Sequence, residues 1–361
     1  MMHYSLLIAA LATSASGFVT KPSYTRGTLA DGWDCSLKLA FKPKCGKFSS
    51  ATYVNANSGI DLRKIKTAVV PFGDSWTAMN DSTGAYPPPP PVFLGTYSMA
   101  GGRASNGPTW TEYIANDTSS EVHPYAVGGA VTDLTLWPTA IARKININSF
   151  TNQTKIFLSQ NNTWDPATTL YTIFFGINDY TYSKTQNLKT KIFLSQNNTW
   201  DPATTLYTIF FGINDYTYSK TDGFDILLKA AEVIRNQTEL LIAAGAKNIL
   251  TAGLYHNQTG SGPYKQALYD NLKTLRKQHP KINIAFADFF PLWNAINSSE
   301  SNYGATFGYT NLTKCLTVDS SIVGACESPQ THLYWQSGHP STCTHRLMAD
   351  YIETVLDTCK S

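Results

Sequence analysis

The sequence predicts an α/β protein in which a parallel sheet is covered by helices on both faces. Two observations carry this. Short apolar, β-branched runs recur as "KIKTAVVPFGDS", "VHPYAVGGA", "LYTIFFGIND" (twice), "KNILTAGLY" and "KINIAFADFF". Helical periodicity fills the intervals as "TWTEYIAN", "DGFDILLKAAEVIRNQTELLIAAGA", "PYKQALYDNLKTLRKQHP" and "STCTHRLMADYIETVLDTC". Strands alternating with helices argue for crossover connections and a parallel sheet. Ligands bind at the carboxyl ends of the strands in such sheets, so the residues after each run are the places to look for chemistry.

Residues 1–17, "MMHYSLLIAALATSASG", carry a short apolar core followed by small residues, the pattern of a cleaved signal peptide and too short to span a bilayer. Residues 18–63 show no clean period of 2 or 3.6 and read as an irregular extension, and residues 64–361 as the α/β domain. The five consecutive prolines of "AYPPPPPVFLG" (85–95) are too rigid and donor-poor for a strand or helix and read as a surface loop within that domain.

The 28 basic and 25 acidic residues balance to +3 with no basic stripe, which argues against nucleic acid as a partner. Six cysteines in an exported chain are expected to be paired, and their spacing favours local bridges: Cys35 with Cys45, Cys315 with Cys326, Cys343 with Cys359. There is no CxxC pair and no HxxxH, so the expectation is no metal and no cofactor. Nine Asn-X-Ser/Thr sequons fit a secreted, glycosylated protein. Oligomeric state leaves no mark in the sequence.

Three strand ends and one helix start carry the candidate chemistry. In "PFGDSWT", Ser75 stands just past a strand, where a nucleophile would face a crevice; Gly-Asp-Ser is also an ordinary turn or cap. A tetrahedral acyl-transfer intermediate needs donors aimed at its oxygen, and the glycines of "AVGGA" and the asparagine of "FFGIND" can supply them. In "WQSGHPST", His339 lies at the mouth of the last helix, where an imidazole can serve a serine as general base; His332 and His345 are its nearest competitors, and His345 falls inside the helix.

"FGDSWT", "YAVGGA", "FFGIND" and "WQSGHPST", in that order and together with "GGRASNGPTWTEYI", resemble the four blocks of the SGNH or GDSL hydrolases, and most of all the secreted fungal acetylesterases of carbohydrate esterase family sixteen. The resemblance covers about residues 64–357. It implies a flavodoxin-like three-layer α/β/α sandwich, the SGNH hydrolase fold, and a metal-free esterase. Ser75 would then be the nucleophile and an oxyanion donor, Gly129 the second donor, Asn214 or Asn178 the third, and His339 the base.

The chain departs from that pattern in three places. Pro124 stands where the second block opens with asparagine. Gln336 stands three before His339, where the family has aspartate, so the imidazole lacks its usual orienting carboxylate. Either Glu327 replaces it across a bridged loop, or a Ser-His dyad works with Gln336 or a backbone carbonyl on Nδ1; the dyad is favoured.

The third departure is a repeat. "TKIFLSQNNTWDPATTLYTIFFGINDYTYSKT" occurs at residues 154–185 and again, letter for letter, at 190–221. Each copy holds the expected central strand and one oxyanion asparagine, so the two compete for one place. The second runs straight into the next helix, which favours Asn214; the other copy is expected to loop out or to add an edge strand.

The leading expectation is a secreted serine esterase removing acetyl or other short acyl groups from sugars or oligosaccharides. A lipid esterase of the same fold is the alternative, and a catalytically impaired carbohydrate-binding protein is the rival from another class. An α/β-hydrolase is disfavoured, because no GxSxG elbow is present.

Overall fold

The structure is a computed structural model describing residues 33–66, 68–137, 149–160, 169–174, 206–210, 219 and 223–360. The predicted signal peptide lies outside the described residues. In chain order the elements are β1 (Ala56–Asn57), β2 (Ala68–Phe72), α1 (Trp110–Thr118), β3 (Glu121–Val122), α2 (Phe150–Ser159), β4 (Thr169–Phe174), β5 (Leu206–Phe210) and α3 (Asp225–Ala243). There follow β6 (Asn248–Gly253), α4 (Ser261–Gln278), β7 (Asn283–Asp288), α5 (Phe290–Asn297), β8 (Asn311–Lys314), β9 (His332–Gln336), β10 (His339–Pro340) and α6 (Thr342–Thr358).

The main sheet has seven strands in the order β1-β7-β6-β5-β4-β2-β3. Every neighbouring pair is parallel except β1 with β7. Strands buried on both faces must be apolar throughout, and Ala68–Phe72 is buried at every position. Helices α1 and α6 pack together, as do α3 and α4, and each pair also touches the sheet. A second, three-stranded sheet, β10-β9-β8, stands apart and carries the last sequence block.

Both duplicated strands lie inside the main sheet, which corrects the expectation that one copy loops out or takes an edge. They pair with each other in parallel, Leu170 opposite Leu206 through Phe174 opposite Phe210, between β2 on one side and β6 on the other. An apolar strand without a preferred face fits any interior position of a parallel sheet. Inserted there, it satisfies both rows of its N–H and C=O groups, which a loop or edge would leave open.

The bridges also differ from the expected local pattern. Cys315–Cys326 forms as expected, but Cys35 pairs with Cys343 and Cys45 with Cys359, closing spans of 308 and 314 residues. The extension is stitched to helix α6 at the far end of the chain. Its β1 forms the antiparallel sheet edge, and Asn57 Nδ2 donates to the carbonyl oxygens of Ile60 and Leu356, so sequence neighbours are spatially occupied by non-local partners.

The block "GGRASNGPTWTEYI" works as a structural clamp. Glu112 closes a capping box with Thr109 at the start of α1 and accepts two hydrogen bonds from the buried Arg103 guanidinium, at 2.7 and 2.9 Å. On α6, Arg346 ties α1 to α6 by pairing with Asp117, Asp350 and Glu353 and lying over the ring of Tyr113. Among the described residues, no helix is long and apolar enough to cross a membrane.

Candidate active site

Ser75 sits three residues past β2, at the carboxyl edge of the sheet. The strand end is held from α2: Gly73 donates its N–H to Gln153 Oε1 and accepts from Gln153 Nε2, both at 2.9 Å, and Gln153 is fully buried. The turn is then drawn tight by Asp74, whose carboxylate accepts the N–H of Trp76 and whose carbonyl accepts from Thr77 and Ala78. Ser75 is left partly exposed between two buried neighbours, Asp74 and Trp76.

The glycine block passes beside it. Val127 N–H bonds to Gly73 O at 3.0 Å, which ties this loop to the serine turn. A Cβ added at Gly128 would meet Ser75 Cβ at 3.9 Å, an ordinary van der Waals distance, so this loop lies beside the serine with room for about one carbon between them. Gly129 has φ +83°, a left-handed conformation that a side chain disfavours. Asn178 and Asn214 lie outside the described residues; of the strands preceding them, β4, from the first copy, is the one paired with β2.

His339 arrives from the small sheet. β9 and β10 form a short antiparallel hairpin in which His339 pairs with Gln336, and Gly338, at φ +68°, makes the turn possible. Ser341 then caps α6 by accepting from Thr344 N–H, and its hydroxyl donates to the carbonyl of His332. Trp76 Nε1 donates to Gly338 O at 3.1 Å, locking the serine turn to the histidine turn.

The result is a close pair. His339 Nε2 is 2.8 Å from Ser75 Oγ, and His339 Nδ1 is 2.8 Å from the carbonyl oxygen of Ser337. A carbonyl can only accept, so the ring proton belongs on Nδ1 and the Nε2 lone pair faces the serine hydroxyl. Burial pushes the imidazole below its ordinary value, against the Ser337 hydrogen bond and the Asp319 carboxylate, which raise it. Around neutral pH the ring is therefore a free base.

Glu327 is exposed just past the loop closed by Cys315–Cys326, while Gln336 is buried in β9. The competing histidines sit elsewhere. His332 Nδ1 lies 3.0 Å from Ser328 O. His345 is buried in α6 with its ring edge-on to Trp76, and burial together with His339 pushes it down to about 3.

Sequence reasoning missed Asp319. This residue lies inside the loop closed by Cys315–Cys326, and its Oδ1 accepts from Ser337 N–H at 3.2 Å and from Lys314 Nζ at 2.8 Å. Nothing in a Thr-Val-Asp-Ser stretch marks it. The one signal available is the short spacing of Cys315 and Cys326, which marks a bridged loop close before the histidine block. Among the described residues, no cluster of three or more His, Cys, Asp or Glu side chains could hold a metal ion.

The family model described as GDSL-like Lipase/Acylhydrolase matches residues 69–196 and 184–352. The overlap of the two matches falls at the junction of the duplicated copies. A thermolabile hemolysin of Vibrio parahaemolyticus is 24% identical over 316 residues, 78% of this chain and 62% of that protein, so the chain spans less than two thirds of that relative's length. A GDSL esterase/lipase of Arabidopsis thaliana is 29% identical over 85 residues, 22% of this chain and 23% of that one. A solved acetylxylan esterase of Geobacillus stearothermophilus, a catalytic mutant, shares 13% identity over 82% of this chain and 99% of its own, with a TM-score of 0.39.

Proposed function

Because the chain belongs to the GDSL-like lipase/acylhydrolase family, we propose that it is a secreted serine esterase that hydrolyses acetyl or other short acyl esters, with carbohydrate as the alcohol partner. In this reading the two helix pairs are the outer layers of a three-layer α/β/α sandwich of the SGNH hydrolase type. The observation that carries the reaction is the 2.8 Å contact of Ser75 Oγ with an unprotonated His339 Nε2.

The chemistry follows from that geometry. Ser75 Oγ attacks the acyl carbon while its proton passes to Nε2. The new oxyanion takes hydrogen bonds from the N–H groups of Ser75 and Gly129 and from the side-chain amide of Asn178 or Asn214. Collapse breaks the C–O bond, and the departing alcohol takes the proton from Nε2. Water then repeats the sequence on the acyl-enzyme. Through both halves the Nδ1–H to Ser337 O bond keeps the ring in place, the role the family gives to aspartate.

A pocket of about 400 Å³ supports the carbohydrate reading. Trp33, Phe93 and Trp335 line it together with Asp34, Asn106 and Gln330, and it carries no cationic side chain among the described residues. Aromatic faces with amides and a carboxylate suit the C–H faces and hydroxyls of a neutral sugar better than an anionic group. Asn106 also accepts from the N–H of Thr342, just past His339, so this pocket shares a wall with the histidine segment. Secretion is supported by three disulfides and no free cysteine among the described residues.

One observation favours a second reading, a lipid esterase. Val92, Leu94, Tyr97, Val318 and Val323 are exposed on two loops joined by the Tyr97–Ser321 bridge and by Ile322 N–H to Thr96 O. Apolar side chains gathered beside a site suit an aggregated lipid surface. A panel of acetylated xylo-oligosaccharides, 4-nitrophenyl acetate and a 4-nitrophenyl long-chain ester separates the two. The sugar reading expects the highest kcat/KM on the acetylated oligosaccharides. A rate that jumps at the critical micelle concentration of the long-chain ester, with little turnover of the acetates, would establish the lipid reading instead.

A further inference from the structure

The chain lacks the carboxylate that its family places against the histidine, yet it does not leave the histidine without an acid in reach. We infer that Asp319 takes over the orienting task, acting through Ser337 rather than by touching the imidazole, and that Lys314 sets how much of its negative charge the imidazole feels. This rests on reading Ser75 and His339 as the reacting pair. Asp319 is thus a positioning residue.

Cys315–Cys326 closes an eleven-residue span, and Leu316 and Cys315 bond through their N–H groups to the carbonyls of Trp335 and Tyr334, fixing the loop's base to β9. Its far side is held by Ser98, whose hydroxyl donates to Asp319 O, and by Ile322 N–H to Thr96 O. A loop pinned at both sides holds the half-exposed Asp319 carboxylate against the hairpin turn. Asp319 Oδ1 meets the N–H of Ser337 at 3.2 Å, and the carbonyl of that same Ser337 holds His339 Nδ1 at 2.8 Å.

Ser337 and Gly338 form the exposed turn of a two-residue hairpin, with Gly338 left-handed. Exposed turns are generally more mobile than the strands they join, so outside contacts matter for holding one orientation. Asp319 supplies that hold at Ser337 N–H, and Trp76 supplies another at Gly338 O. The Ser337 carbonyl can therefore stay aligned with Nδ1 while the ring gains and loses a proton on Nε2.

Charge adds a second effect. The charged or titratable groups that interact with His339 are Asp319 from the bridged loop, with its partner Lys314 at the end of β8, and His345 from α6. Ser75 is the remaining polar contact. Burial disfavours the imidazolium that forms in each half-reaction, and Asp319 favours it. Lys314, 2.8 Å from the carboxylate, opposes that influence. Burial alone would raise the Asp319 pKa, but the bonds from Lys314 and Ser337 outweigh it and hold the group below its ordinary value, so it is an anion throughout the working range.

The two partners therefore make opposite predictions. Asp319→Asn keeps the shape but removes the charge and weakens the Ser337 contact, so the His339 titration moves down by about half a pH unit and kcat falls about tenfold with little change in KM. Lys314→Met removes the opposing charge, and the His339 titration moves up. Asp319→Glu, which keeps the charge, restores most of kcat. The readouts are the acid limb of kcat/KM on 4-nitrophenyl acetate and the His339 imidazole titration by NMR, with thermal melts confirming that each variant is folded.

Titrations unmoved in both charge variants, or moved in the same direction, would overturn the role of Asp319. That outcome is distinct from failure of the serine reading, which Ser75→Ala with undiminished turnover would show; the NMR titration still reads the effect of Asp319 in that case.

Discussion

Leu170 and Leu206, the same residue of two identical segments, face each other across adjacent parallel strands in the interior of the sheet. Each strand can replace the other without any change of register. β2 meets the first copy with Val69 opposite Leu170, and β6 meets the second with Asn248 opposite Leu206. Deletion of residues 185–220 would leave one uninterrupted copy able to satisfy both neighbours at once. We expect that shortened chain to fold and to hydrolyse 4-nitrophenyl acetate as fast as the full chain, with a melting temperature no lower. A loss of cooperative melting would show that the sheet depends on having both copies.

The order of the strands also bears on the third oxyanion donor. The sequence favours Asn214, because its copy leads directly into the next helix. In the sheet, however, the strand before Asn178 borders β2, whereas the strand before Asn214 stands one place further away, about 4.8 Å. Asn178→Ala should therefore lower kcat by about 10²- to 10³-fold, and Asn214→Ala by far less. The reverse ranking in single-variant kinetics would return the role to the second copy.

His345 makes stability fall in acid. Unfolded, its imidazole titrates near 6.5, while in α6 it is pushed down to about 3 by burial and by His339. At pH above 6.5 both states are neutral and the group contributes nothing. Between about 6.5 and 3 only the unfolded state binds the proton, so stability falls with pH by up to about 1.4 kcal/mol per unit. Chemical denaturation of His345→Leu should show a shallower loss between pH 6 and 4; an unchanged slope would place the acid sensitivity elsewhere.

Much of this was legible because it follows from periodicity and from strand ends. β2, β6 and β7 and helices α1, α3, α4 and α6 lie where apolar runs and 3.6-residue spacing place them. Ser75 and His339 were found by their positions after a strand and before a helix, and they meet at 2.8 Å. What stayed hidden is non-local. Cys35 and Cys343 are 308 residues apart, and no local pattern distinguishes that pairing from a short one. Asp319 matters only because a bridged loop folds back onto Ser337, and the place of the second copy depended on which neighbours an apolar strand would find.

If Ser75 is a nucleophile activated by His339, it should react with a fluorophosphonate, which loses fluoride when a serine oxygen bonds to phosphorus; intact-mass analysis reads the adduct. One adduct is expected on the wild-type chain, mapped to the peptide containing Ser75, strongly slowed in His339→Ala and absent in Ser75→Ala, with hydrolysis of 4-nitrophenyl acetate lost in parallel. An adduct on another residue, or equal hydrolysis by the wild type and Ser75→Ala, would contradict it.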